Sequence, residues 1–347
     1  MNIALVGLGM VASTHVRAIA ALAPEIQLKT VCGRNPQRTA QFADDAAAIL
    51  GYRPDPQISI EAIANDPAID FVIIATPPNA RIEMARALAA GGKSILMEKP
   101  IERTLANAKA IVDLCAIHNV KLGIVFQHRV REASLQLRAK LDAGAFGPVR
   151  IVEITVPWWR EQSYYDAPGR GTFSRDGGGV LISQAIHSLD LALSLAGPVR
   201  KVQAMAKTSQ FHTMEAEDYV TAGLEFDSGA IGSLVASTAS FPGAGETITL
   251  HCEKASVRLL AGQLTVHWRS GAVEVFGEDG GTGGGADPMA FTHAWHQAII
   301  RDFADAVATD SAPLVSGHAG LAVHALIDAL VTSAKTERSV TLAPWNT

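Results

Sequence analysis

Over the first ~125 residues, short apolar runs alternate with Ala-rich segments of helical period, and this alternation limits the fold more than any other feature. The runs are Ile3–Val6, Leu28–Cys32, Phe71–Ala75, Ser94–Met97 and Lys121–Val125. Between the first two, Ala12, Val16, Ile19, Ala20 and Ala23 recur at i, i+4, i+7, i+8 and i+11, one face of a helix. Nearly continuous apolar strands separated by helices describe a parallel sheet covered on both sides. After residue ~150 the pattern changes. Gly178–Ala196 reads as one long, mostly apolar helix, followed by the runs Tyr219–Phe226, Ala230–Ala236, Thr247–Cys252, Ser256–Leu260 and Leu264–Trp268. Short turns such as Asp227-Ser228-Gly229 divide these runs, which is the pattern of antiparallel hairpins. Two helices are expected near 291–308 and 317–335. The expected architecture is a doubly wound α/β domain over residues 1–125 and an α+β domain over 126–347. The cleft between two such domains is the expected place for a ligand.

A length of 347 residues agrees with two domains. The chain is 48% hydrophobic and 18% charged, a globular balance, and no apolar run reaches the roughly 18 residues of a membrane span. The start, MNIALVGLGM, lacks the basic opening of a signal peptide. Cys32, Cys115 and Cys252 have neither disulfide nor zinc spacing, which points to a reducing cytoplasm. A net charge of −5 without a basic block argues against nucleic acid as a partner.

The first run leads into Gly7-Leu-Gly9-Met10-Val11-Ala12, a GxGxxA turn between strand and helix. Gly7 permits the tight turn, Gly9 lets a pyrophosphate approach the backbone, and Ala12 keeps the helix close to the strand. A second copy, Gly281-Thr-Gly283-Gly-Gly-Ala286, sits among Glu278, Asp279 and Asp287 outside any βαβ unit, and reads as a flexible connection. The second run ends in Cys32-Gly33-Arg34-Asn35-Pro-Gln-Arg38, without the acid that holds ribose hydroxyls in NAD sites. Gly33 leaves room, and Arg34 and Arg38 suit a 2′-phosphate, so NADP is favoured over NAD. The other reading of the two arginines is a solvated surface. Thr76, Pro77 and Asn79, after the third run, are either cofactor contacts or only a helix start.

On the Gly178–Ala196 helix the polar residues Ser183, His187, Asp190 and Ser194 make one line among apolar neighbours. Burying polar groups without partners costs about 1–3 kcal/mol each, so the line implies a cleft wall or a paired network. His187 is the functional candidate, while Asp190 is equally an anchor to the other domain. His293 and His296, at i, i+3 beside Trp295 without a carboxylate companion, do not read as a metal pair, and no metal is expected.

Taken together, Gly7-Leu-Gly9-Met-Val-Ala12, Ala75-Thr-Pro-Pro-Asn79, Glu98-Lys99-Pro100, Phe126-Gln-His-Arg129 and Gly177-Gly-Gly-Val-Leu-Ile-Ser-Gln-Ala-Ile-His187-Ser-Leu-Asp190 resemble the Gfo/Idh/MocA oxidoreductases, the family of glucose–fructose oxidoreductase and inositol dehydrogenase. The resemblance covers essentially the whole length. It implies a Rossmann domain and a C-terminal open, mostly antiparallel sheet whose exposed face builds homodimers or homotetramers. It also implies that Lys99 is the catalytic lysine and that Glu98 positions the cofactor or that lysine. Pro100 confines Met97-Glu98-Lys99 to extended geometry. Many members carry an aspartate four residues before the histidine; here that position is Ser183, which cannot hold a negative charge.

The implied reaction is reversible hydride transfer between a secondary carbinol and nicotinamide, with Lys99 and His187 sharing the hydroxyl, one as acid/base and the other as its hydrogen-bond partner. Trp158, Trp159, Arg160 and Tyr164, with Tyr165, Arg170 and Arg175 nearby, suit a sugar, cyclic polyol, sugar acid or nucleotide sugar, or else an oligomer contact. Gln127 and Arg129 line the same cleft, or Arg129 is a structural salt-bridge partner. Two other functions fit the same fold: a glycosidase working by transient oxidation on tightly held NAD, and a non-catalytic dinucleotide and sugar sensor.

Overall fold

The computed structural model describes residues 1–277 and 291–344. The second glycine motif, Gly281 to Ala286, with Glu278, Asp279 and Asp287, lies outside the described residues. The chain opens with β1 (Asn2–Val6), α1 (Ala12–Ala20), β2 (Gln27–Cys32), α2 (Pro36–Leu50), β3 (Asp55–Gln57), α3 (Ile60–Ala64), β4 (Phe71–Ile74), α4 (Arg81–Ala90), β5 (Ser94–Glu98), α5 (Leu105–Ile117) and β6 (Leu122–Val125). The six strands form one sheet in the order β3-β2-β1-β4-β5-β6, every pair parallel. Ile3, Leu5, Leu28, Phe71, Ile73, Ile95 and Met97 are fully buried, as strands covered on both faces require. The order reverses between β1 and β4, and their carboxyl ends mark the switch point where such sheets bind ligands. Strand β3, Asp55-Pro56-Gln57, carries no apolar run; it is a three-residue edge strand, where proline is tolerated.

A 3₁₀ turn at Gln127–Val130 leads to α6 (Glu132–Asp142), β7 (Val149–Pro157) and α7 (Gln162–Tyr165). A π-helical turn, Leu181–Ala185, then runs into α8 (Ile186–Ala196), so the expected single helix changes its winding just before His187. Strands β8 (Val199–Lys207), β9 (Tyr219–Phe226), β10 (Ile231–Ser237), β11 (Thr247–Cys252), β12 (Ala255–Leu260), β13 (Gln263–Trp268) and β14 (Val273–Phe276) follow. After them come α9 (Ala294–Thr309), α10 (Gly317–Thr336) and β15 (Val340–Thr341). The second sheet runs β14-β13-β12-β11-β7-β10-β9-β8-β15. All its pairs are antiparallel except β7 with β10, which is parallel. Val220, Ala222, Leu224 and Phe226 alternate inward along β9, and α8 lies against β7 and β11.

The molecule divides into two compact units. The first is Met1–Gln127 with Thr292–Leu321, and the second is His128–Phe291 with Ala322–Thr347. The sequence-based boundary after residue 125 gives every residue beyond it to the second domain, whereas 292–321 returns to the first unit. Phe303 of α9 packs edge to face on Phe71 with ring centroids 5.2 Å apart. The Ile124 amide donates to the Val315 carbonyl at 2.9 Å. A Cβ at Gly123 would come within 2.5 Å of the Phe303 ring, so the sheet accepts α9 only because that position is glycine. Among the described residues no helix is long and apolar enough to cross a membrane.

Candidate active site

Because the strands of the first sheet are parallel, the residues after them gather on one edge. Gly7, Gly33, Thr76, Lys99 and Gln127 follow β1, β2, β4, β5 and β6 respectively. Gly7 has φ +98°, and a Cβ there would meet the Ala75 and Thr76 backbone at 2.6 Å. A Cβ at Gly9 would meet nothing within 4 Å, and Gly9 and Met10 are open to solvent. Helix α1 starts at Val11-Ala12 with no side-chain cap and no acidic residue in its first turn. By contrast α2, α3 and α5 are capped by Asn35, Ser59 and Thr104. An uncapped helix start behind an open glycine is the arrangement that accepts a phosphate, so these residues fit a dinucleotide.

At the end of β2, Arg34 and Arg38 are exposed, and the Arg38 amide donates to the Asn35 cap. Gly33 has a packing reason as well as a binding one, since a Cβ would lie 2.7 Å from Thr39 Oγ1. After β4, Pro77 and Asn79 are exposed and Thr76 is half-buried. The Thr76 carbonyl accepts Arg81 Nε at 3.0 Å and Nη2 at 2.6 Å. Arg81 Nη1 also donates to the carbonyls of Glu98 and Pro100, so one buried guanidinium ties the β4 turn to the β5 turn. Burial lowers the Arg81 pKa to about 10 against the pull of Glu98 and Glu102, and the side chain stays charged at neutral pH.

Glu98 is buried at the end of β5, and half-buried Lys99 follows, joined by a cis bond to Pro100. Glu98 Oε1 lies 2.9 Å from His15 Nε2 and 3.3 Å from His296 Nε2. Burial alone would raise the Glu98 carboxyl, but the bonds and charges of the two imidazoles hold it well below the usual range. Gln127 is buried, and its Oε1 has no partner among the described residues.

In the second unit, Glu217 builds the start of the helix that carries His187. Its carbonyl accepts Val180 N at 2.8 Å, and its carboxylate accepts Gly179 N and Leu181 N at 3.2 Å. Burial raises the Glu217 carboxyl, while those amides oppose the rise. His187 is buried and stacks on His128, centroids 4.8 Å apart and planes 22° from parallel. Asp190 is fully buried and held by Arg129, so its anchor is the Gln127–Val130 turn. Ser194 Oγ turns back to the Leu191 carbonyl at 2.7 Å. Ser183 is half-buried within the π turn, where α-helical spacing no longer sets its direction relative to His187.

The aromatic insertion is divided. Trp158 and Arg160 are buried, with the guanidinium 5.4 Å from the Trp158 ring and 5.8 Å from Tyr164. Trp159 is half-buried and meets Phe211 and Phe241 edge to face at 5.8 and 5.4 Å. Arg170 stacks over Tyr164 at 5.1 Å, and Arg175 donates to the Pro168 carbonyl. Sequence reasoning missed His15, Arg81, His128 and Glu217. One signal was present: His15 sits on the apolar face of α1 between Ala12 and Val16, where a polar side chain needs a buried partner.

Residues 1–126 match the family model "Oxidoreductase family, NAD-binding Rossmann fold", and residues 134–258 match the GFO/IDH/MocA C-terminal domain. Inositol 2-dehydrogenase of Rhizobium meliloti (strain 1021) is 28% identical over 349 residues, 98% of each chain. The scyllo-inositol 2-dehydrogenase (NAD(+)) of Bacillus subtilis (strain 168) is 30% identical over 245 residues, 68% of this chain and 67% of that one. Among solved structures, the WlbA dehydrogenase from Bordetella pertussis in complex with NADH and UDP-GlcNAcA is 27% identical with a TM-score of 0.80, covering 99% of this chain and 98% of that one. With its six-stranded parallel sheet, glycine turn and large second sheet, the chain belongs to the Gfo/Idh/MocA family of oxidoreductases.

Proposed function

We propose that this protein is an NAD(P)-dependent dehydrogenase that interconverts a secondary alcohol and a ketone on a sugar, cyclic polyol, sugar acid or nucleotide sugar. The observation that carries the reading is the gathering of the open Gly9 turn, the uncapped start of α1 and Lys99 on one carboxyl edge. The relatives named for inositol oxidation support the alcohol class. A bound nicotinamide dinucleotide supplies the hydride acceptor or donor. Gly7, Gly9, Met10, Val11 and Ala12 hold its pyrophosphate, with Thr76, Pro77, Asn79, Glu98 and Gln127 along the same edge. Gly33, Arg34 and Arg38, with no acid at the end of β2, favour NADP.

Lys99 and His187 share the substrate hydroxyl, one moving its proton and the other donating or accepting a hydrogen bond to the same oxygen. Trp159 and Tyr164 offer ring faces to a sugar, with Trp158, Arg160, Arg129 and Ser183 shaping that side. A homodimer or homotetramer forms through the second sheet. Its outer face shows Ile151, Met205, Tyr219 and Ile231, opposite the face that packs on α8. The three cysteines are free and buried, in keeping with a reducing cytoplasm.

The test is purified protein with a panel of sugars and polyols, following reduced cofactor with NAD and NADP separately. Steady reduction supports the dehydrogenase, and Lys99→Met abolishes it while dinucleotide affinity stays within a few-fold. Glycoside cleavage without net reduction, binding without turnover, or a normally active Lys99→Met overturns the reading.

A further inference from the structure

The carboxylate of Glu98, the residue before Lys99, is held by two histidines that lie far from it in sequence. His15 comes from α1, Glu98 from β5 and His296 from α9, and the two rings meet edge to face with centroids 5.0 Å apart. His15 and His296 are 0% and 1% exposed. The three side chains place their ligand atoms within 4.8 Å of one another, close enough to surround a metal ion. The tautomer of His15 bears on that arrangement, since its Nδ1 has no side-chain or backbone partner among the described residues. A metal on Nε2 would put the ring proton on Nδ1, leaving a buried donor unsatisfied, whereas metal-bound imidazoles give that proton to an acceptor. A proton on Nε2 instead satisfies the Glu98 carboxylate and leaves only a lone pair at Nδ1.

The main chain on both sides of Lys99 is held as well, since Arg81 binds the carbonyls of Glu98 and Pro100. We propose that His15 and His296 are positioning residues for Lys99, fixing the Glu98 carboxylate of the preceding residue so that its charge acts on the amine from one place. The charge of Lys99 in turn reaches His296, lowering its pKa along with the larger effect of burial. The inference rests on Lys99 carrying the reaction.

The experiment measures His15→Leu, His296→Leu, His296→Gln, Glu98→Gln and Lys99→Met in the full chain, with the best substrate of the panel, and includes elemental analysis. The two leucine variants are expected to lose roughly 10–100-fold in kcat, with alcohol KM and dinucleotide Kd within about threefold. His296→Gln, whose amide nitrogen can still donate, recovers most of that loss. Glu98→Gln moves the acidic limb of kcat/KM for alcohol oxidation down by roughly 0.5–1 pH unit, because losing a neighbouring carboxylate favours the neutral amine. Leucine variants within threefold of the wild-type kcat, or an unmoved limb, overturn the proposal. So does a stoichiometric divalent ion that disappears in His15→Leu. Should a leucine variant fail to fold, the Glu98→Gln limb still decides. An inactive Lys99→Met beside normal histidine variants sinks this inference alone, whereas an active Lys99→Met sinks the proposed function.

Discussion

Arg129 grips Asp190 through two parallel bonds, Nε to Oδ2 and Nη2 to Oδ1, each 2.7 Å. Burial raises the Asp190 carboxyl, and the guanidinium opposes the rise. The pair joins α8, three residues past His187, to the turn whose His128 stacks on His187. Of the two roles the sequence left open for Arg129, the structure supplies the salt-bridge partner.

Arg129→Met leaves a fully buried carboxylate without its cation. A loss of about 3–5 kcal/mol is expected, because the remaining charge keeps its desolvation cost. The double variant Arg129→Met/Asp190→Leu recovers most of it. Denaturant unfolding of the two variants and the wild type checks both statements, and equal losses in single and double variants would refute the buried-charge explanation.

Two glycines give opposite results on substitution. A Cβ at Gly179 falls on the Glu217 carbonyl, so Gly179→Ala is expected to destabilise the second unit by several kcal/mol or prevent folding. Gly9→Ala meets no atom, so its melting midpoint stays within a few degrees while dinucleotide affinity falls by about tenfold or more. Thermal scans with and without cofactor separate the two effects.

Stability depends on pH through His296 and Glu98. Burial lowers the His296 pKa from 6.5, outweighing its bond to Glu98. The Glu98 carboxyl sits well below 4.5, where the imidazoles hold it against burial. As pH falls below 6.5, the unfolded chain takes up a proton at residue 296 that the folded chain refuses. Below 4.5 it takes another at residue 98. The melting midpoint should therefore drop in two stages on acidification. His296→Gln should flatten the first stage, and an unchanged slope between pH 6.5 and 4.5 would count against it.

The coenzyme preference is testable at the end of β2. Arg34→Ala with Arg38→Ala should raise KM for NADP by roughly 10–100-fold and leave KM for NAD within about threefold, the size of one or two charge-assisted contacts. Equal changes for both coenzymes would place the arginines elsewhere.

The first sheet was legible because its strands are buried on both faces, so Ile3–Val6 and Phe71–Ile74 stand out as apolar runs. β8, Val-Arg-Lys-Val-Gln-Ala-Met-Ala-Lys, was not, because only scattered positions face inward. The glycine turn was readable since its chemistry is local, whereas Lys99 entered only as what the family resemblance implies. His15 was not readable, because its partner lies 83 residues away. His296 has no carboxylate neighbour along the chain, and the one it meets arrives from β5. The π turn left no trace, because a segment apolar on nearly all sides gives no phase to reveal an altered winding.

The return of residues 292–321 to the first unit bears on how the chain is made. As the polypeptide leaves the ribosome, the coenzyme fold emerges first but lacks Phe303, Val315 and Gly317, which close over Phe71, Ile124 and Leu122. It must wait, partly uncovered, while the whole intervening sheet is translated. A release of nascent protein at residue 127 would thus yield a half with a bare apolar flank, prone to capture by chaperones rather than able to bind its coenzyme.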